Sequence, residues 1–112
     1  MPEPILVYVT CPDEQVAAML GRIAVDERLA ACANLLPGMR SIYRWQGRID
    51  SAEETVLILK STRIRWADLE ARLRALHPYT APCIVVLPIA AGSAPFLAWL
   101  ATETGPADPP AE

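Results

Sequence analysis

The chain has little of what most catalytic or ligand-caging machinery needs. Its 112 residues hold one histidine, three cysteines and five glycines. With His77 the sole imidazole, any histidine-based acid/base scheme or catalytic triad has to run through that residue, and no histidine cluster for a metal exists. No Gly-x-Gly-x-x-Gly, phosphate loop or His-Glu-x-x-His occurs, which removes the common nucleotide and metalloprotease signatures. Cys11, Cys32 and Cys83 are odd in number, widely spaced and never in a Cys-x-x-Cys pair. This argues against a disulfide framework and suits a reducing compartment, and the ordinary role for such residues is as small buried apolar groups. A cysteine and a histidine in one chain make no catalytic pair unless they meet, so we expect no enzyme.

Long apolar runs are also missing. No stretch approaches the roughly 18 to 20 residues of a membrane span, and Met1-Pro2-Glu3-Pro4 lacks the basic start of a signal peptide. A cytoplasmic protein with no membrane partner is expected. Charge of one sign is scarce as well. The net charge is −3 and the pI about 5.1, which gives no general attraction to nucleic acid or anionic lipid. Arg63, Arg65, Arg72 and Arg74 form a basic group, yet the third strand lacks the aromatic run by which RNA-recognition sheets stack bases. These arginines read as a solvated helix face, and no nucleic-acid partner is expected. Glu53-Glu54 alternate faces of a strand and read as its solvated entry rather than as paired acid/base carboxylates.

What is present is apolar sequence in strand and helix periods. At 53% hydrophobic and 21% charged residues the chain can bury a core. Residues 4–10 read as a first strand, and a helix opens at Cys11-Pro12-Asp13-Glu14 with Thr10 as its cap. Val16, Met19, Leu20 and Ile23 give that helix one apolar face, ending near Arg28. Leu29 to Leu36 reads as a second strand, broken or bulged at Pro37-Gly38. Residues 41–50 follow as a hairpin whose Gln46-Gly47 turn sets Tyr43 opposite Asp50 and Trp45 opposite Arg48. Thr55 to Ser61 is the next strand. Trp66, Leu69, Leu73 and Leu76 mark a second helix, ended at His77 by Pro78. Pro82 to Ile89 is the fourth strand, and Pro95 to Thr102 a short closing helix. The domain is expected over 1–103, with 104–112 as a proline-rich disordered tail.

The order is β-α-β-β-α-β with a long central hairpin, an α+β, ferredoxin-like plan with two helices on one face of an antiparallel sheet. The other face should be polar, but three strands are apolar on both sides. Leu6 and Tyr8 stand against Ile5, Val7 and Val9; Leu57 and Leu59 against Val56 and Ile58; and Ile84 and Val86 against Val85 and Leu87. A second copy of the chain is the expected cover. Tyr43 and Trp45 support this. Each can bury about 150–250 Å², or at most about 4–6 kcal/mol at about 25 cal/mol per Å², and a two-stranded ribbon offers nothing of its own to bury them against.

Several stretches then resemble one family. Thr10-Cys11-Pro12-Asp13-Glu14, Arg28 to Asn34 with Pro37-Gly38, Ser41 to Ile49, Leu59-Lys60-Ser61-Thr62, His77-Pro78-Tyr79 with Pro82, and Phe96 to Leu100 look, in order, like the CutA divalent-cation tolerance proteins. The resemblance implies a homotrimer similar to the PII signalling proteins, with Tyr43, Trp45 and Ile49 at subunit contacts. It also implies a link to copper and other divalent cations, none required for folding. It singles out Cys32 and His77 as metal-associated residues. Where the family pattern reads His-Pro-Tyr-Glu-x-Pro-Glu-Ile, this chain has Thr80 and Cys83 in place of the two glutamates, so a softer, copper(I)-favouring site with Cys83 as a ligand is expected. The alternative is a trimeric signalling or structural scaffold that binds a small ligand or protein at subunit clefts, with metal association incidental.

Overall fold

A computed structural model describes residues 2–106. The elements are β1 (Pro4–Cys11), α1 (Glu14–Asp26), β2 (Cys32–Trp45), β3 (Arg48–Thr62), α2 (Trp66–Leu76), β4 (Ile84–Pro88) and α3 (Ala94–Glu103), with one 3-10 turn at Arg63–Arg65 before α2. The four strands form one sheet in the order β2-β3-β1-β4, antiparallel at each pairing. This is the α+β arrangement expected from the sequence, with the long hairpin and the closing helix in place.

Alternation along the strands sorts the sheet into two faces. Ile5, Val7, Val9 and Cys11 on β1 and Leu57 and Leu59 on β3 are wholly buried, and they pack with Ala17, Leu20 and Ala24 of α1 and Leu69 and Leu73 of α2. Gly21 lets α1 approach β2: a Cβ there would lie 2.9 Å from Ala33 Cβ. The opposite face carries Leu6, Tyr8, Ile58, Leu36, Val85 and Leu87, by their register with one another. Among the described residues, only α3 lies across it, through buried Leu100 and packing on β3 and β1. Val85 and Leu87 remain 47% exposed and Leu36 50% exposed.

Three local expectations are corrected. The cap of α1 is Asp13, not Thr10: β1 stays paired through Cys11 with Thr55, and extended Asp13 accepts from Val16 N–H at 2.8 Å. β2 starts at Cys32 rather than Leu29, because residues 27–30 close α1. Arg28 enters the left-handed region at φ 60, and the N–H groups of Leu29 and Ala30 both donate to Ala24 O. Finally, β3 runs from Arg48 to Thr62 instead of starting at Thr55, because the hairpin is one ladder to its tip. Pro37-Gly38 is a bulge in that ladder, with the register shifting between Leu36 and Met39.

The turn itself follows the sequence reading. Gln46 (φ 49) and Gly47 (φ 79) are both left-handed, as a two-residue type I′ turn requires, and Tyr43 pairs with Asp50 and Trp45 with Arg48. Ile49, paired with Arg44, falls on the other side of the ribbon beside Ile42. Both sides of the hairpin are thus apolar and bare: Ile42 is 73% exposed, Ile49 71% and Trp45 60%. Residues 107–112 of the expected tail lie outside the described residues. Thr104, placed in that tail by the sequence reading, is buried against Thr62.

Candidate functional site

The residues singled out from sequence fall in two places. His77 and Cys83 flank the segment between α2 and β4, and both are tied to Thr10 on β1. Pro78 forces His77 out of the helical region (φ −73, ψ 135), so it ends α2 while its own N–H still donates to Leu73 O at 2.8 Å. Its ring is buried. Tyr79 N–H donates to Nδ1 at 3.1 Å, which places the ring proton on Nε2, and Nε2–H donates to Thr10 O at 2.8 Å. Both ring nitrogens are therefore engaged by backbone. Cys83 accepts from Thr10 N–H through its carbonyl at 3.3 Å, and the residue is exposed.

Cys32 lies elsewhere. It is half-buried on the open face, opposite Lys60, in the row that continues to Leu6 on β1. Four residues of β1 separate that row from Thr10, about 13 Å along the strand at about 3.3 Å per residue. One chain thus ties His77, by its ring, and Cys83, by its carbonyl, to the same residue of β1 and keeps Cys32 apart. Among the described residues no group of three or more His, Cys, Asp or Glu side chains is placed to hold a metal ion. The described residues of one chain do not make a complete protein-ligated metal centre.

The sequence reading missed Tyr79 and Glu54. Glu54, read as part of a solvated strand entry, is only 8% exposed and accepts from the Tyr79 hydroxyl at 3.1 Å. Strand alternation would not have found it: Glu54 has the parity of Val56 and Ile58 on the open face, and its burial accompanies a tertiary contact with Tyr79 that no local pattern marks. Burial, the bond to Glu54 and its charge push the Tyr79 phenol up to about 12. Cys11, wholly buried on the helix-covered face, is pushed up to about 11 by burial and then by Glu54 and Asp13. It is a packed neutral thiol, as expected of a structural cysteine. Beside this network lies an open cleft of about 410 Å³, lined by Asp13, Glu14, Glu53 and Glu54 and by the bulge residues Pro37 and Gly38.

Comparison with known proteins gives a consistent picture. The family description "CutA1 divalent ion tolerance protein" matches residues 5–103. A divalent-cation tolerance protein CutA of Thermus thermophilus is 48% identical over 100 residues, covering 89% of this chain and 97% of the relative. The Homo sapiens protein CutA is 38% identical over 97 residues, 87% of this chain but 54% of the relative. Among solved structures, the Thermus thermophilus divalent cation tolerance protein superposes with a TM-score of 0.89 at 47% identity, covering 91% of this chain and 99% of that one. Oryza sativa CutA1 gives 0.90 at 34% identity, covering 95% and 97%.

Proposed function

The chain belongs to the CutA1 divalent ion tolerance family, and from that membership we propose that it handles divalent cations, copper among them, as a homotrimer in the cytoplasm, without catalysing a reaction. The observation that carries the reading is the match over residues 5–103, which takes in both the hairpin and the His77–Cys83 segment.

Assembly is supported by two bare apolar surfaces that differ in shape. One is the open sheet face with Val85 and Leu87; the other is the ribbon with Tyr43 and Trp45 on one side and Ile49 on the other. A ribbon of one copy meeting the sheet of the next is a head-to-tail contact, and such contacts form a ring where the rotation between copies closes, as it does at a third of a turn in a trimer. Because Tyr43 and Trp45 face away from Ile49, an interface using all three engages both sides of the ribbon. The metal proposal follows from the same geometry. One chain offers the exposed Cys83 thiol and, far from it, half-buried Cys32, so donors from neighbouring copies complete any site. Thiolate ligands favour copper(I). His77 would join only by giving up a backbone bond.

Native mass spectrometry with and without copper tests the whole reading. We expect a three-chain mass that takes up copper saturably, with less bound by Cys83→Ser and Cys32→Ser. A monomer at micromolar concentration overturns the assembly. If copper affinity is unchanged in Cys83→Ser and in His77→Ala, the metal assignment falls. A three-chain mass without saturable copper favours the second reading, a scaffold or signalling protein that takes a small ligand. The carboxylate-lined cleft at the bulge favours a cationic ligand for that role.

A further inference from the structure

Two arginines from distant parts of the chain converge on the carboxyl end of α3. That helix has no basic residue in its own last turn, although its terminal carbonyls are unpaired within the helix and carry its negative dipole end. The missing cations come from outside. Arg28, at the end of α1, donates from Nε to Gly105 O at 3.1 Å and from Nη2 to Thr102 O at 3.0 Å. Arg65, from the turn before α2, donates from Nε to Thr104 O. Thr104 donates to Leu100 O at 2.8 Å and so accepts from the buried Thr62 hydroxyl at 3.2 Å. Arg28 does this from φ 60, a conformation a side-chain-bearing residue keeps only where its surroundings hold it.

The amino end of α3 is held differently. Ser93 makes no side-chain cap, and Phe96 and Trp99 are 37% and 43% exposed, stacked at a tilt on one another. Leu100, in the carboxyl half, is the wholly buried side chain of the helix. Beneath α3, the Phe96 ring lies 5.5 Å from Lys60 Nζ, and Lys60 is the cross-strand partner of Cys32.

We propose that α3 is a strap across the open sheet face, locked at its carboxyl end by Arg28 and Arg65, and that release of the lock frees the helix as a unit and uncovers the Lys60–Cys32 row. The attachment is concentrated in one turn and depends on two residues that belong to other elements, so α3 can detach without unfolding α1 or β1. Local openings of this kind are drawn from elements with few buried side chains.

Hydrogen exchange by mass spectrometry on the full chain, in the assembly it forms, tests this. In Arg28→Gly/Arg65→Gln, where glycine keeps the left-handed backbone at ease, peptides spanning 94–103 should exchange at least tenfold faster, while those of α1 and β1 stay within twofold. Arg72→Ala, which removes the α1–α2 ion pair to Glu27, should leave α3 unchanged. In a Cys83→Ser background, alkylation of Cys32 should accelerate along with α3 exchange. Equal acceleration in every element, or none in α3, overturns the lock. Faster α3 exchange with unchanged Cys32 alkylation overturns its role as a cover.

Discussion

His77 illustrates how one side chain can hold two distant stretches of chain. It is legible in the sequence as the lone histidine ahead of a proline, and therefore as a helix end. Its partner Thr10, 67 residues away, is not, because nothing local marks which carbonyl an imidazole will meet. Removing the ring in His77→Ala strands a buried acceptor and a donor and leaves a cavity, so we expect a loss of about 2–4 kcal/mol in urea unfolding. Tyr79→Phe should cost about 1–3 kcal/mol by leaving Glu54 without its donor. Glu54 escaped the sequence reading for a related reason: its partner Tyr79 is 25 residues away, and nothing local marks the contact. The buried Cys11 thiol also makes a prediction. Its pKa is raised in the native state, so its stabilising effect is complete below about pH 9 and is lost as pH rises to about 11. At about 1.4 kcal/mol per pH unit that is at most about 3 kcal/mol. Thermal melts should show stability falling over this range, and Cys11→Ala should flatten the fall. Tyr79, raised to about 12, carries the same sign to higher pH.

At the scale of elements, the period of the apolar residues was enough to place both long helices, because each buries one face against the sheet, and the Gln46-Gly47 turn was enough to set the hairpin register. The length of β3 was not readable. Residues 50–54, Asp-Ser-Ala-Glu-Glu, have poor strand propensity, and they are extended only because Met39 to Tyr43 pair with them. The bulge at Pro37-Gly38 was visible as a proline and a glycine, but whether it ends or merely offsets a strand depends on that partner ladder. The turn supplies the element-level prediction. Gln46 occupies a left-handed conformation that asparagine tolerates better, so Gln46→Asn should raise stability by about 0.5–1 kcal/mol in chemical denaturation. A β-branched residue at Gly47, such as Gly47→Val, should lower it.

For the whole molecule, the two-sided strands lead to the expectation of a covering partner, and the structure leaves that face bare where β4 and β1 meet. What the sequence did not reveal is the contribution of α3, whose short apolar run gives no sign that its carboxyl end is anchored by Arg28 and Arg65. If the bare face is where copies meet, Leu87→Glu should weaken association at least tenfold in analytical ultracentrifugation while leaving the helix-covered core, and hence the far-UV circular dichroism, intact. The three tryptophans sit in three different structural settings: Trp45 on the hairpin, Trp66 half-buried at the start of α2, and Trp99 on the strap. Each is therefore a built-in lamp for one event. The emission of Trp45 reports the environment of the ribbon, that of Trp99 the seating of α3, and that of Trp66 the integrity of the core, so the colour of the protein's own fluorescence separates assembly, strap opening and unfolding without any added label.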